Sequence, residues 1–103
     1  MPYIKQNFRD ELYPLIDALA TKINEIHAKN PAQTRDGLLN FSVTEILNEC
    51  FPDARYTDFN EMIGFLECCK LEYYRKKIGP YEDEKEVENG AVRSFDKGSR
   101  KGY

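Results

Sequence analysis

The sequence predicts an all-α fold, a small bundle of about three amphipathic helices. Apolar residues recur at helical spacing, mostly three or four residues apart, in three separate stretches, which places them on one helix face. Prolines and short polar segments separate the stretches and provide places for helices to end. With 103 residues, of which 41% are hydrophobic and 32% charged, the chain has the composition of one globular domain.

The first helix is predicted between Phe8 and Ala28. Asn7 or Asp10 is expected to cap it, and Pro14 is tolerated in its first turn because those amides have no partner within the helix. Asn30-Pro31 is expected to end it. The helix carries a single apolar stripe, formed by Leu12, Ile16, Leu19, Ile23 and Ile26.

The second helix is predicted from about Asn40. Ser42 and Glu45 have the spacing of a capping box, although Asn40 could also serve as the cap. Because several residues here are β-branched, a strand is the alternative. The helical interpretation depends on the apolar face formed by Leu39, Val43, Ile46, Leu47 and Cys50.

The third and longest helix is predicted from Asp58, which pairs with Glu61 as a second cap. Gly79-Pro80 is expected to stop or kink this helix near Ile78. Its apolar stripe consists of Phe59, Met62, Ile63, Leu66, Cys69 and Tyr73.

Residues 81–89 are acidic and predict at most a short solvent-facing helix that Gly90 closes. The residues from Gly90 to Tyr103 include three glycines and few apolar side chains, which is typical of a flexible tail. The predicted organisation is therefore a helical domain, 1–89, followed by a flexible tail, 90–103. Arg93, Lys97, Arg100 and Lys101 give the tail its basic character.

The cysteines and the single histidine predict neither a metal site nor a catalytic pair. Cys50, Cys68 and Cys69 lie within helical apolar patterning, so we expect reduced, buried thiols, and adjacent residues on a helix are poorly placed for a mutual disulfide. His27 near a helix end is expected on the surface or as a cap. Four zinc ligands in a characteristic spacing are missing.

Charge and hydropathy limit the partners. The formal net charge of −3 gives no general attraction to nucleic acid. No apolar run reaches the length of a membrane span, and the first residues do not resemble a signal peptide, so we expect a cytoplasmic protein without a membrane partner. The glycines form no phosphate-binding loop, and no cofactor is predicted.

A magnesium-dependent nucleotide-processing enzyme is the alternative from another functional class. Small helical pyrophosphohydrolases hold the ion with Glu-x-x-Glu and Glu-x-x-Asp pairs on neighbouring helices, and this chain lacks those pairs. The carboxylates that would have to act are Glu45, Glu49, Glu67 and Glu72. We therefore expect no catalytic residues.

Aromatic and cationic residues are concentrated in the stretch from Leu71 to Tyr81. Arginine binds phosphate oxygens and tyrosine offers a flat face for a base, so the stretch can form a ligand site. The structural alternative is that Tyr73 completes the core while the cations complement the helix end and pair with the acidic run. The candidate ligand-binding residues are Tyr73, Tyr74, Arg75, Lys76 and Tyr81, with Tyr3 and Lys5 as contributors if the amino terminus folds back across a dimer.

Three helices of this size bury only a modest core, which favours self-association. The stripe of the first helix and the aromatic stretch of the third would suit a symmetric helix-packing interface, so we expect a homo-oligomer.

Several segments carry a family resemblance that reaches from the first residue to Gly90. They are Met1-Pro2-Tyr3-Ile4-Lys5, Gly37-Leu38-Leu39-Asn40-Phe41, Ile63-Gly64-Phe65-Leu66-Glu67-Cys68, Lys70-Leu71-Glu72-Tyr73-Tyr74-Arg75, Pro80-Tyr81-Glu82-Asp83-Glu84-Lys85 and Glu88-Asn89-Gly90. The chain resembles a family of short uncharacterised proteins encoded by tailed bacteriophages and prophages.

The resemblance implies an accessory protein that acts in the cytoplasm of an infected bacterium. Small phage proteins in that setting bind host factors or counter immunity, in some cases as oligomers that sequester cyclic nucleotide signals. The hypothesis is a non-enzymatic binding protein that captures a nucleotide messenger. An inhibitor of a host defence protein is the alternative.

Overall fold

The computed structural model describes residues 2–95 as a set of helices joined by short turns. The predicted all-α fold is confirmed, and the structure assigns no strand to any of these residues. Predictions about Lys97, Arg100 and Lys101 concern residues outside this range. The elements are α1 (Gln6–Lys29), α2 (Arg35–Cys50), α3 (Tyr56–Tyr73), a π turn (Tyr74–Ile78), α4 (Gly79–Asn89) and a 3₁₀ turn (Arg93–Phe95).

The chain divides into two compact units between Gly64 and Phe65, inside α3. The amino-terminal unit holds α1, α2 and the start of α3. The carboxyl-terminal unit holds the rest of α3, the π turn, α4 and the 3₁₀ turn. The division at residue 89 expected from composition stays a prediction, and the 3₁₀ turn lies within the predicted tail.

Helix α1 begins without a side-chain cap, so the prediction that Asn7 or Asp10 caps it is wrong. Both residues lie inside the helix, where Asp10 Oδ1 accepts a hydrogen bond from Gln6 Nε2 at 2.8 Å. The carbonyl of Lys5 accepts from the amides of Phe8 and Arg9. At the other end the amide of Asn30 donates to the carbonyl of Ile26 at 2.9 Å, and the predicted end at Asn30-Pro31 is confirmed.

Helix α2 begins five residues before the predicted start, and the strand alternative is wrong. Its cap is Thr34, whose hydroxyl oxygen accepts from the amide of Gly37 at 3.4 Å. Ser42 cannot cap because its hydroxyl donates to the carbonyl of Leu38 one turn earlier. The hydroxyl of Thr34 and, after it, the amide of Gly37 lower the pKa of the Asp36 carboxyl in the first turn.

Helix α3 begins at Tyr56, and Asp58 caps it from a different position than expected. The carboxylate of Asp58 accepts a hydrogen bond from the amide of Arg55 at 2.9 Å. Asp58 therefore takes the third-residue role of a capping box and binds back to the residue before the helix. Its expected role as the first residue of the pair with Glu61 is wrong.

Of the predicted stop or kink at Gly79-Pro80 near Ile78, the stop does not occur, but α3 gives way to a π turn, Tyr74–Ile78, directly before Gly79. The amide of Gly79 donates to the carbonyl of Tyr74, five residues earlier, which makes this a π turn. Proline has no amide hydrogen, and its ring would collide with the carbonyl four residues before it in a regular α-helix. The wider turn relieves that collision.

Gly90 ends α4, as predicted. Its φ of 89° lies in the region that glycine adopts without strain, and its amide donates to the carbonyl of Glu86 at 2.8 Å.

In the amino-terminal unit α2 packs against α1, and Arg35 Nη1 donates to Asn24 Oδ1 at 3.5 Å. Ile23 is the one buried residue in the described part of the chain, and Ile26 and His27 are half-buried. The ring nitrogen Nδ1 of His27 lies 2.7 Å from the carbonyl oxygen of Gln33, to which it donates because a carbonyl can only accept. His27 thus ties the α1–α2 turn to the helix.

All three cysteines are free and exposed, so the prediction of buried thiols is wrong. Cys50 is the last residue of α2, and Cys68 and Cys69 lie in α3. Helical spacing identifies a face of a helix, but a side chain on that face is buried only where another element packs against it. Spacing alone therefore did not decide the environment of these thiols.

Candidate binding surface

The candidate residues around the π turn are displayed on the surface of the carboxyl-terminal unit. Tyr73 ends α3, Tyr74 lies in the turn and Tyr81 lies in α4; their exposed fractions are 62%, 52% and 55%. The alternative that Tyr73 completes the core is therefore wrong. Three half-exposed tyrosines in one short helical stretch are available for contact with a partner.

Arg75 is already engaged by a neighbouring carboxylate. Its Nε donates to Glu72 Oε1 at 2.8 Å, and a second guanidinium nitrogen forms an ion pair with the same oxygen. The expected pairing of Arg75 with the acidic run after Pro80 is not what the structure shows. Because Glu72 neutralises the guanidinium, a phosphate group would have to displace that carboxylate. Lys76 makes no ion pair with any residue between 2 and 95.

The ring of Tyr81 also has a partner. The ammonium of Lys85, one turn further along α4, lies 5.6 Å from the ring centroid, within the range of a cation–π interaction. Lys85 also pairs with Glu88 at 3.3 Å. One face of Tyr81 is thus occupied by a cation, which leaves less of the ring for stacking on a base.

A groove of about 430 Å³ runs along α4 in the carboxyl-terminal unit. Three carboxylates and one ammonium line it, so its charge disfavours a phosphate and favours a cation. Tyr74 is the only one of the predicted ligand residues in this lining. The lining consists of Tyr74, Glu82, Asp83, Lys85, Glu86, Asn89, Gly90, Val92 and Phe95.

Sequence reasoning missed eight of the nine residues that line this groove, among them Lys85, Val92 and Phe95. Lys85 follows Tyr81 by four residues, the helical spacing that brings two side chains together. Val92 and Phe95 are isolated apolar residues in a polar stretch, and they were assigned to a tail with little to bury. The amide of Phe95 donates to the carbonyl of Val92 at 2.8 Å, which closes the 3₁₀ turn at this end of the groove.

Tyr3 and Lys5, the remaining candidate residues, lie in the amino-terminal unit. The segment before α1 is held by Arg9, whose Nε donates to the carbonyl of Ile4 at 2.7 Å. A groove of about 270 Å³ lies between that segment and the helix, and Tyr3 lines it together with Leu12. Lys5 is not part of its lining.

The carboxylates considered for magnesium chemistry do not form a cluster. Within residues 2–95 no group of three or more His, Cys, Asp or Glu side chains is placed to hold a metal ion. Glu67 pairs with Lys70 at 3.0 Å, and Glu72 pairs with Arg75. The same residues include no helix with both the length and the apolar character needed to cross a bilayer.

Comparison with known proteins gives a family but no activity. No curated protein and no solved structure shows significant similarity to the chain. A family model described as "Domain of unknown function (DUF6899)" matches residues 1–92, a range that includes every helix described above. The chain is therefore a member of the DUF6899 family.

Proposed function

We propose that this protein is a non-enzymatic accessory protein of a bacteriophage that acts in the host cytoplasm as a homo-oligomer and binds a host protein. The observation that carries the proposal is the exposure of large apolar and aromatic side chains along the helices. In the carboxyl-terminal unit they include Phe65, Leu71, Tyr73, Tyr74, Tyr81 and Phe95, each between 46% and 73% exposed. Tyrosine-rich surfaces of this kind are typical of protein interfaces.

The charges around this surface favour a protein over a nucleotide. Glu72 neutralises Arg75, and the groove beside Tyr74 is lined by Glu82, Asp83 and Glu86 against the single cation of Lys85. A nucleotide phosphate would meet net negative charge there. A protein with an apolar patch bordered by lysine and arginine would be complementary to both the tyrosines and the carboxylates.

The phage setting is supported by the resemblance of the opening segment and of the tyrosine-rich block to short phage and prophage proteins. Capture of a nucleotide immune signal stays a prediction for the same region. The two hypotheses differ in the molecule that is bound to the protein when it is purified from infected cells, a host polypeptide or a nucleotide. One purification experiment therefore distinguishes them.

The test compares Tyr74→Ala with a matched control, Tyr56→Ala. Tyr56 is also an exposed tyrosine, at 77%, but it lies outside the groove. Each tagged protein is purified from infected cells, and the masses of its complexes are measured by native mass spectrometry. We expect one host polypeptide at fixed stoichiometry with the wild type and with Tyr56→Ala, and its loss with Tyr74→Ala.

The complex should also weaken as salt is raised, because the groove is acidic. Recovery of an intact nucleotide bound to the wild type, with no host polypeptide, would overturn the proposal in favour of nucleotide capture. Hydrolysis of a nucleotide by the purified protein would overturn the non-enzymatic part.

A further inference from the structure

The apolar stripe of α1 is covered along only part of its length. Ile23 is buried, and the next residue, Asn24, accepts at Oδ1 a hydrogen bond from Arg35, the first residue of α2, at 3.5 Å. Every residue from Asp10 to Lys22 is exposed. The uncovered face consists of Phe8, Leu12, Leu15, Ile16 and Leu19, whose exposed fractions lie between 39% and 68%.

The difference in helix length accounts for only part of the uncovered stretch, because the exposed residues from Asp10 to Lys22 span roughly 20 Å. Helix α1 has 24 residues and α2 has 16, so at 1.5 Å per residue α2 is shorter by roughly 12 Å. The position of Pro14 agrees with a contact at the uncovered face. Pro14 lies two residues from Leu12, about 200° around the helix, so its ring is on the opposite side and does not obstruct a helix packed on the stripe.

We infer that a second copy of this chain covers this face, with the two α1 helices antiparallel. Leu12 of one copy then lies opposite Ile16 of the second copy, and Phe8 lies opposite Leu19. The inference rests on the proposed self-association and assigns it an interface. A two-fold axis near Pro14 makes both contacts occur twice, as closed dimers require.

The orientation follows from the place that α2 occupies. In a parallel pair in register, the second α1 would continue along the stripe and collide with α2 at Ile23. In an antiparallel pair only the uncovered halves overlap, and each α1 leaves the contact before reaching the α2 of the other copy. The antiparallel arrangement is therefore the one that avoids a collision with α2.

The available area is that of a small interface. A fully exposed Leu, Ile or Phe side chain presents roughly 150–200 Å², so the five residues present roughly 400–500 Å² in each copy at their observed exposures. Two copies together present roughly 800–1,000 Å², which at its upper end reaches the lower limit for a specific interface. The groove beside Leu12 and Ile16, lined also by Tyr3 and Tyr13, can receive a side chain of the second copy. We expect a dimer that dissociates on dilution.

The first test is the mass of the full-length protein in solution, measured by analytical ultracentrifugation over a range of micromolar concentrations. We expect the wild type to have twice the monomer mass of 12.0 kDa. The double variant with Leu12→Glu and Ile16→Glu should have the monomer mass. The matched control, Thr21→Glu with Ala28→Glu, places two carboxylates on the opposite face of α1, where both residues are exposed, and should remain dimeric. Circular dichroism checks that both variants keep their helices. A monomeric wild type, or a dimer that survives the first pair, overturns the inference.

The second test concerns orientation and uses a background in which Cys50, Cys68 and Cys69 are replaced by serine. Phe8→Cys and Leu19→Cys are made as separate proteins. In the antiparallel pair, like positions lie roughly 15–18 Å apart along the axis, too far for a disulfide. A covalent dimer should form on oxidation of the mixture and not of either protein alone, whereas a covalent dimer of Phe8→Cys alone would overturn the antiparallel arrangement.

The two proposals fail separately. If the protein is a monomer that still binds the host protein through Tyr74, the dimer inference is wrong and the proposed binding function stands. If the protein is a dimer that binds no host protein, the inferred interface stands and the proposed binding function is wrong.

Discussion

The amide of Gly79 donates a hydrogen bond to the carbonyl of Tyr74, five residues earlier, and this bond defines the π turn in the middle of a long helical stretch. A methyl group added to Gly79 would lie 3.3 Å from the same carbonyl oxygen. The turn that accommodates Pro80 therefore also restricts the residue before it.

The first prediction compares Gly79→Ala with Gly64→Ala. Both glycines are helical, but a methyl group at Gly64 meets nothing within 4 Å. We expect Gly64→Ala to raise the free energy of unfolding by about 0.5–1 kcal/mol, because alanine has the higher helix propensity. The close contact with Tyr74 should cancel this gain for Gly79→Ala. Urea unfolding followed by circular dichroism measures both, and equal gains would contradict the described turn.

The second prediction concerns the one buried residue. We expect Ile23→Ala to lower the free energy of unfolding by about 2–3 kcal/mol, because it removes a buried apolar side chain and leaves a cavity. Ile63→Ala is the control, since Ile63 is 67% exposed and its loss should cost at most about 0.5 kcal/mol. Similar losses in thermal unfolding would show that Ile23 is not the main contact.

The third prediction concerns the α1–α2 turn. His27→Ala removes the donor that binds the carbonyl of Gln33, and we expect a loss of about 1 kcal/mol in the free energy of unfolding. Lys29→Ala, at the end of the same helix, makes no such bond and should change little. Amide hydrogen exchange of the turn residues would report the local effect. Unchanged protection in His27→Ala would rule out a role for this hydrogen bond.

The fourth prediction concerns pH. The Thr34 hydroxyl and the Gly37 amide lower the pKa of Asp36 from its ordinary 3.8, so its folded pKa lies below its unfolded pKa. The resulting stability is present above the unfolded value and is lost as the pH falls through the folded one. We expect stability to fall from about pH 5 toward pH 3 in the wild type and less steeply in Asp36→Asn. Parallel pH profiles would contradict this role of Asp36.

The periodic pattern was sufficient to predict where helices lie, but not where they begin. Spacing correctly predicted the three helical stretches, because residues three and four apart lie on one face of a helix. The cap of α2 was missed because Ser42 and Thr34 both have suitable side chains. Only the structure shows that Ser42 bonds to Leu38 inside the helix. Proline chemistry predicted a disturbance at Pro80, but it could not predict that a wider turn would keep the chain helical.

The candidate site was predicted in part. Composition alone identified the tyrosines that the structure displays, because a local cluster of aromatic and basic residues needs no tertiary information. The engagement of Arg75 by Glu72 and of Tyr81 by Lys85 depends on the rotamers of these side chains. Helical spacing makes both pairs possible, at three and four residues apart, but it does not decide which of several possible partners each side chain takes.

The three exposed thiols have a practical chemical consequence. In air, a chain with Cys50, Cys68 and Cys69 on its surface can form covalent aggregates that do not reflect native assembly. In a reducing cytoplasm the same thiols stay free. They also provide ready attachment points for maleimide dyes. A label on Cys50 would report on the end of α2, and labels on Cys68 or Cys69 would report on the helix that leads to the tyrosine surface.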